Sequence, residues 1–162
     1  MQTLPKQIDL FLFGILFLRS DRLVISKTRI VARYCETDQM GIVHHSQYVN
    51  WFEVARTDWI HELGQSYRQI EEAGLMLPVI GVQLQYRSPA RYDDAVIVET
   101  RLKEYNSIRI VFEYHITKEA DGTRLVDGTT SHCWTNQSMK PISLRKFNPA
   151  LHEKLCHAQK GD

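Results

Sequence analysis

An α+β fold is predicted for this 162-residue chain by three features of its sequence. One aromatic segment, from Tyr48 to Leu63, repeats its apolar residues at spacings of three and four, as a helix with one buried face does. From Leu77 onward the spacing changes to two and holds through four segments, the mark of half-buried strands. No Pro/Gly linker, internal repeat or low-complexity tract separates the two regions, so one domain is expected.

Residues 1–23 are expected to form an extension peripheral to the fold, with a single domain over 24–157. The run "IDLFLFGILFL" (Ile8 to Leu18) is apolar over 11 residues, too short to span a bilayer comfortably. Only Lys6 precedes it with charge and no A-x-A site follows, so neither a secretion signal nor stable membrane insertion is expected.

"KTRIVARY" (Lys27 to Tyr34) sets Thr28, Ile30 and Ala32 against Lys27, Arg29 and Arg33, which reads as a strand. Gly41 and a polar cluster then break the pattern. Ser46 is placed to cap a helix, and Tyr48, Trp51, Phe52, Ala55, Trp59 and Leu63 form its inner face. Gly64 suits the left-handed position after the last turn. Ser66 to Gln69 has capping-box spacing and opens a short second helix ending at Gly74.

Four strands follow: Pro78 to Arg87, Ala95 to Tyr105, Ile108 to Lys118 and Thr123 to Asn136. Asn106-Ser107 and Asp121-Gly122 make hairpin turns between them. Val96, Val98, Thr100 and Leu102 share one face, as do Ile108, Ile110, Phe112, Tyr114 and Ile116. Asn148-Pro149 opens a last helix around Leu151 and Leu155. The four strands are expected to form an antiparallel meander, and the aromatic helix is the element large enough to cover it. A sheet curled around a central helix results.

Composition narrows the function. With 43% apolar and 24% charged residues, and 20 basic against 19 acidic side chains, the chain suits neither a disordered tail nor a nucleic-acid binder. Cys35, Cys133 and Cys156 show no C-x-x-C spacing, which fits reduced thiols in a cytoplasmic protein.

The chemistry-bearing stretch lies between the first strand and the helix. Asp38 there is either a turn former or a working carboxylate. Gly41 would let backbone approach a ligand closely, and His45 to Gln47 would present free N–H groups at the helix start. A carboxylate facing such donors suits attack on a carbonyl, with the oxyanion held by amides. His44 and His45 lack the further ligands at metal-binding spacing, so no metal is expected. No G-x-S-x-G elbow is present.

Two blocks, "RYCETDQMGIVHHSQYVNWFEVAR" (Arg33 to Arg56) and "YRSPARYDDAVIVET" (Tyr86 to Thr100), resemble the 4-hydroxybenzoyl-CoA thioesterase family of hotdog proteins, in its bacterial short-chain acyl-CoA thioesterase branch. The similarity covers about Lys27 to Leu155. It implies a five-stranded antiparallel sheet wrapped around a long central helix, and hydrolysis of acyl-CoA to free acid and coenzyme A. By the same resemblance Asp38 is the nucleophile or general base, and the His45 backbone N–H polarises the thioester carbonyl. Gly41 matches the glycine of the substrate loop and Tyr48 an aromatic of the first helical turn. Homodimers joined edge to edge, or homotetramers, are implied, with each site at a subunit boundary. No cofactor is implied.

One departure concerns the nucleotide. The hydroxybenzoyl-type enzymes of the family hold it with basic residues at the turn before the fourth strand, which is here the neutral Asn106-Ser107. Arg87, Arg91, Lys103 and Arg109 are the nearby basic candidates for phosphate contacts, and solvated strand ends are the equal alternative for each. Glu53 lies off the helix's inner face and is expected to pair with Arg56. A non-catalytic acyl-CoA or acyl-carrier-protein binding module, and a hotdog hydratase or dehydratase, are the rival readings. The acyl chain stays open, as do the choice between coenzyme A and acyl carrier protein and that between dimer and tetramer.

Overall fold

The computed structural model describes residues 25–160; the extension expected over residues 1–23 lies outside them. In chain order the elements are β1 (Ile25–Val31), α1 (Gln47–Glu62), α2 (Tyr67–Glu72), β2 (Leu75–Met76), β3 (Val79–Tyr86), β4 (Ala95–Asn106), β5 (Arg109–Lys118), β6 (Arg124–Cys133), β7 (Thr135–Asn136), α3 (Leu144–Phe147) and α4 (Pro149–Lys160). A 3-10 turn occupies Tyr34–Glu36.

Five strands make one antiparallel sheet in the order β1-β4-β5-β6-β3. The expected four-strand meander is therefore corrected. Only β4, β5 and β6 follow one another as neighbours, while β3 pairs with β6 and β1 with β4. The reason lies in the link from Arg87 to Asp94. At its start the Arg87 N–H donates to Leu125 O (2.8 Å), holding the chain beside β6. At its end Asp93 N–H donates to Ala32 O and Ala32 N–H to Asp94 O, each at 2.9 Å, delivering the chain to β1. The link thus crosses from one sheet edge to the other, beneath the start of α1.

Helix α1 covers the concave face. Tyr48, Trp51, Phe52, Ala55 and Trp59 are buried as their spacing predicts, and Ile60 joins them. Each large apolar side chain so removed from water contributes roughly 1.5–3 kcal/mol. Phe52 stacks on Tyr114 with ring centres 4.2 Å apart, and Trp59 meets Phe112 edge-on at 5.1 Å. The sheet supplies Val96, Val98, Leu102, Ile110, Phe112, Tyr114 and Ile116 to the same core; Ile108, by contrast, lies exposed in the turn. Two hydroxyl–carboxylate bonds pin the helix to β1: Ser26 to Glu62 at 2.7 Å and Thr28 to Asp58 at 2.6 Å.

The helix ends show one agreement and one correction. Gly64 takes φ +71° as the chain leaves the last turn. Ser46, however, does not cap α1 with its side chain. Its Oγ lies 2.8 Å from His44 Nδ1 instead. At α2 the Ser66/Gln69 capping box forms as expected. Asn148 Oδ1 accepts the Leu151 N–H (3.0 Å) at the start of α4, which continues past residue 157 to Lys160. The result is the hotdog arrangement, a sheet wrapped around one long helix.

Candidate active site

Asp38 sits on a small hairpin between β1 and α1. Its backbone N–H donates to Ile42 O (2.9 Å) and its carbonyl accepts the Gly41 N–H (2.9 Å), while Thr37 and Val43 form an isolated bridge below. Closing so tight a turn needs a left-handed residue, and Gly41 supplies it at φ +71°. One carboxylate oxygen of Asp38, Oδ1, accepts the Met40 N–H at 2.9 Å. Oδ2 has no partner among the described residues, so a half-buried carboxylate keeps one oxygen for a ligand.

The hairpin is tied down on two sides. Val43 N–H donates to Ala90 O (2.8 Å), and His44 N–H donates to Glu36 O (2.8 Å). Glu36 is 3% exposed, and its carboxylate accepts from Arg33 N (2.7 Å), Arg33 Nη2 (2.8 Å) and Trp51 Nε1 (3.1 Å). Burial pushes the Glu36 carboxyl up, but the bonds from Arg33 and Trp51 outweigh it and hold it below the usual carboxylate range.

At the helix start, Gln47 N–H donates to His44 O (2.9 Å), whereas the His45 N–H has no acceptor among the described residues. An unsatisfied amide at a helix N-terminus is a donor aimed at negative charge. The carbonyl of His45 accepts from Tyr86 Oη at 3.0 Å, and its ring lies 4.0 Å from that of His44.

Asp38 and His45 line one cleft of about 280 Å³ together with Met40, Tyr48, Tyr86 and Arg87. Tyr48 is a fixed wall. Its Oη accepts the Ala90 N–H (3.0 Å), its ring packs on Trp51 and Tyr86, and burial pushes its hydroxyl pKa up. Arg87 reaches the cleft while its Nε donates to Asp127 Oδ2 (3.2 Å). Arg91 is not among the residues that line the cleft; exposed on the link between β3 and β4, it donates from Nη1 to Gly41 O at 3.3 Å.

Arg109 is not brought to this cleft within one chain. It pairs with Cys133 at one end of β6, while the cleft borders Tyr86, which pairs with Val126 near the other end. Seven residues of strand separate the two, roughly 23 Å. Lys103 is engaged by Glu113 at 3.3 Å.

The expected Glu53–Arg56 ion pair does not form. Glu53 is exposed, and Arg56 turns inward, donating from Nε to Tyr67 Oη (2.8 Å) and from Nη1 to His132 Nε2 (3.1 Å). A guanidinium only donates, so Nε2 is the bare nitrogen of His132 and the proton sits on Nδ1. Desolvation and then the Arg56 charge lower the His132 pKa to about 4. His152 is half-buried, with Nδ1 2.7 Å from Tyr105 Oη. No group of His, Cys, Asp and Glu among the described residues could hold a metal ion.

Tyr86 and Glu36 are the site residues that sequence reasoning passed over. Tyr86 reads as an ordinary strand-end aromatic, and nothing local says that its hydroxyl meets a helix start 41 residues earlier. Glu36 carries a faint signal, an acid two residues before Asp38 in a segment that leaves its strand.

A sheet wrapped around one long helix, with a carboxylate and a helix start sharing one cleft, defines a hotdog protein of the thioesterase class. The family described as Thioesterase-like superfamily matches residues 33–155, and the chain belongs to it. YneP of Bacillus subtilis, provisionally named an acyl-CoA thioesterase, is 40% identical over 84% of this chain and 99% of its own. The acyl-CoA thioesterase YbgC of Haemophilus influenzae is 30% identical over 70% of this chain and 83% of its own. The crystal structure of DHNA-CoA thioesterase from Staphylococcus aureus superposes with a TM-score of 0.81 at 38% identity, covering 83% of this chain and 91% of that one.

Proposed function

We propose that Asp38 and the His45 amide carry out the acyl-CoA thioester hydrolysis that fold and family assign to this chain. The observation that carries the proposal is one cleft holding both a carboxylate with a free oxygen and an unsatisfied helix-start N–H. With the thioester carbonyl oxygen on the His45 N–H, Asp38 acts on the carbonyl carbon in one of two ways. It takes a proton from water, whose oxygen then attacks, or it attacks directly and forms an acyl-aspartyl anhydride that water cleaves. Either way the negative charge passes to the carbonyl oxygen, where the amide and the helix dipole stabilise it. Collapse expels the coenzyme A thiolate. The first route leaves the free acid directly; the second leaves the anhydride, which water cleaves to the free acid and the restored Asp38 carboxylate.

Gly41 lets the loop approach the substrate, Tyr48 walls the acyl side, and Arg87 and Arg91 offer cations to the nucleotide phosphates. The edge strand β3 supports a homodimer. It leaves Val79, Ile80, Val82 and Tyr86 exposed on a strand whose outer edge has no neighbour in the sheet, and a second copy would cover them. No helix among the described residues is long and apolar enough to cross a membrane. The three free thiols are in keeping with a cytoplasmic setting.

Thiol release from a panel of acyl-CoAs and acyl carrier proteins tests this reading. Aryl hydroxy-acyl groups belong early on the panel, given the 38% identity to a DHNA-CoA thioesterase. Turnover of some acyl-CoA supports the assignment and names the acyl class. Binding of acyl-CoA across the panel with no turnover would move the reading to a binding module.

A further inference from the structure

Glu36 takes no part in the chemistry above, yet it is buried more deeply than Asp38. Its position is unusual because its bonds run in three directions from one residue. The carboxylate grips Trp51, which is 2% exposed and one turn into α1. It also grips the Arg33 backbone and side chain at the exit from β1. Its carbonyl accepts the N–H of His44, the residue before the amide that faces the cleft. Two residues further on stands Asp38.

Packing alone does not call for a charge here. Against the Trp51 ring an apolar side chain would fill the space without the desolvation that a buried carboxylate costs. What the carboxylate adds is direction, since its acceptor oxygens fix both the height of the loop on the helix and its exit from the strand. The Asp38 carboxylate is held by the Met40 N–H alone, and the Asp38 backbone bonds run to Ile42 and Gly41 of the same hairpin, so its place relative to α1 depends on what holds the loop.

We propose that Glu36 is a positioning residue: anchored on Trp51, it fixes the Asp38 hairpin against α1 and so sets the spacing between the Asp38 carboxylate and the His45 amide. The proposal rests on the roles given above to Asp38 and His45. Displacing a reacting group by about 1 Å can cost on the order of 10²-fold in rate, so a loosened anchor should be visible in turnover.

Two substitutions probe it, each made alone and together with Asp38→Asn. Glu36→Gln keeps an oxygen for Trp51 but sets an amide NH2 against the Arg33 N–H. Trp51→Phe removes the Nε1 donor and leaves Glu36 otherwise intact. In the parent background each should lower kcat by about tenfold or more, with KM within about twofold, on the scale of a misplaced reacting group. In the Asp38→Asn background neither should lower the residual rate further, because the group they position is gone. Losses of equal size in both backgrounds, or an unchanged kcat, would overturn the proposal and leave Glu36 as part of the core. Should Glu36→Gln not fold at the assay temperature, Trp51→Phe decides by the same two readings. Full activity in Asp38→Asn alone would remove the ground for both readings, whereas an inactive Asp38→Asn beside a fully active Glu36→Gln and Trp51→Phe overturns only this one.

Discussion

The Tyr86 hydroxyl donates to the carbonyl oxygen of His45 across 3.0 Å, joining the last residue of edge strand β3 to the helix start 41 positions earlier. His45, which lines the cleft and whose N–H has no acceptor among the described residues, is thus held by the same strand that leaves its outer edge unpaired. Removing only that hydroxyl, in Tyr86→Phe, keeps the ring contact with Tyr48 at 5.6 Å. A single neutral hydrogen bond is worth about 0.5–1.5 kcal/mol, so kcat should fall roughly 2–10-fold. Steady-state kinetics check this, with melting temperature as the control for folding.

Gly41 stands at φ +71° in the loop that carries Asp38, and a Cβ there would meet nothing closer than Arg91 Nη1 at 3.9 Å. Space is available but the backbone conformation is not. Gly41→Ala should cost about 1–2 kcal/mol through the left-handed conformation alone. If the loop relaxes toward φ below zero to escape that cost, turnover falls as well. Denaturant unfolding and kcat, measured side by side, separate the two effects.

Gly128 poses the opposite problem. A Cβ added in β6 would lie 2.5 Å from Phe52 Cε2 and 2.8 Å from the backbone oxygen of Gln83. The Phe52 ring is itself stacked on Tyr114, and a backbone carbonyl cannot swing aside. Gly128→Ala should therefore destabilise by roughly 1–3 kcal/mol as an overpacked core does. A shift in the urea midpoint with an unchanged slope is the expected signature.

His132 makes stability depend on pH. Burial, then the neighbouring Arg56 charge, lower its pKa from 6.5 to about 4. Between those values the unfolded chain binds the proton and the folded chain does not. Stability therefore drops as pH falls from about 6.5 to about 4 and is flat in this group below that, a total of about 3 kcal/mol. Glu36, Glu113 and Asp127 act in a lower window. Each is held below its ordinary value, 4.5 for the glutamates and 3.8 for the aspartate, and loses its contribution as pH falls through its lowered pKa. Urea unfolding between pH 7.5 and 5 should slope in the parent chain and be nearly flat in His132→Gln.

The long helix was legible because burying Tyr48, Trp51, Phe52, Ala55 and Trp59 together requires helical spacing, and a sequence displays spacing directly. Period-two alternation likewise marked β4 and β5 with their inner faces. Strand order was not legible, because alternation says which face of a strand is buried and nothing about its neighbour. The crossing of β3 to the far edge depends on backbone bonds from Arg87 to Leu125 and from Asp93 to Ala32, which side-chain pattern does not encode. The same holds at the site. Asp38, Gly41 and His45 lie within eight residues and carry a local motif, so they could be put forward as candidates from the sequence. Tyr86 reaches them only through the fold, and the inward turn of Arg56 toward His132 overrode the local expectation of a pair with Glu53.

In the proposed mechanism Asp38 is the group that acts on the thioester. The most direct measurement is kcat/KM of Asp38→Asn against the parent chain on its best acyl-CoA, with folding checked by melting temperature. The substitution keeps the side chain's size and an oxygen for the Met40 N–H while removing the charge. A loss of about 10²-fold or more in a folded protein is predicted for removal of the base or nucleophile. A folded Asp38→Asn that turns over at the parent rate would rule out that role for Asp38.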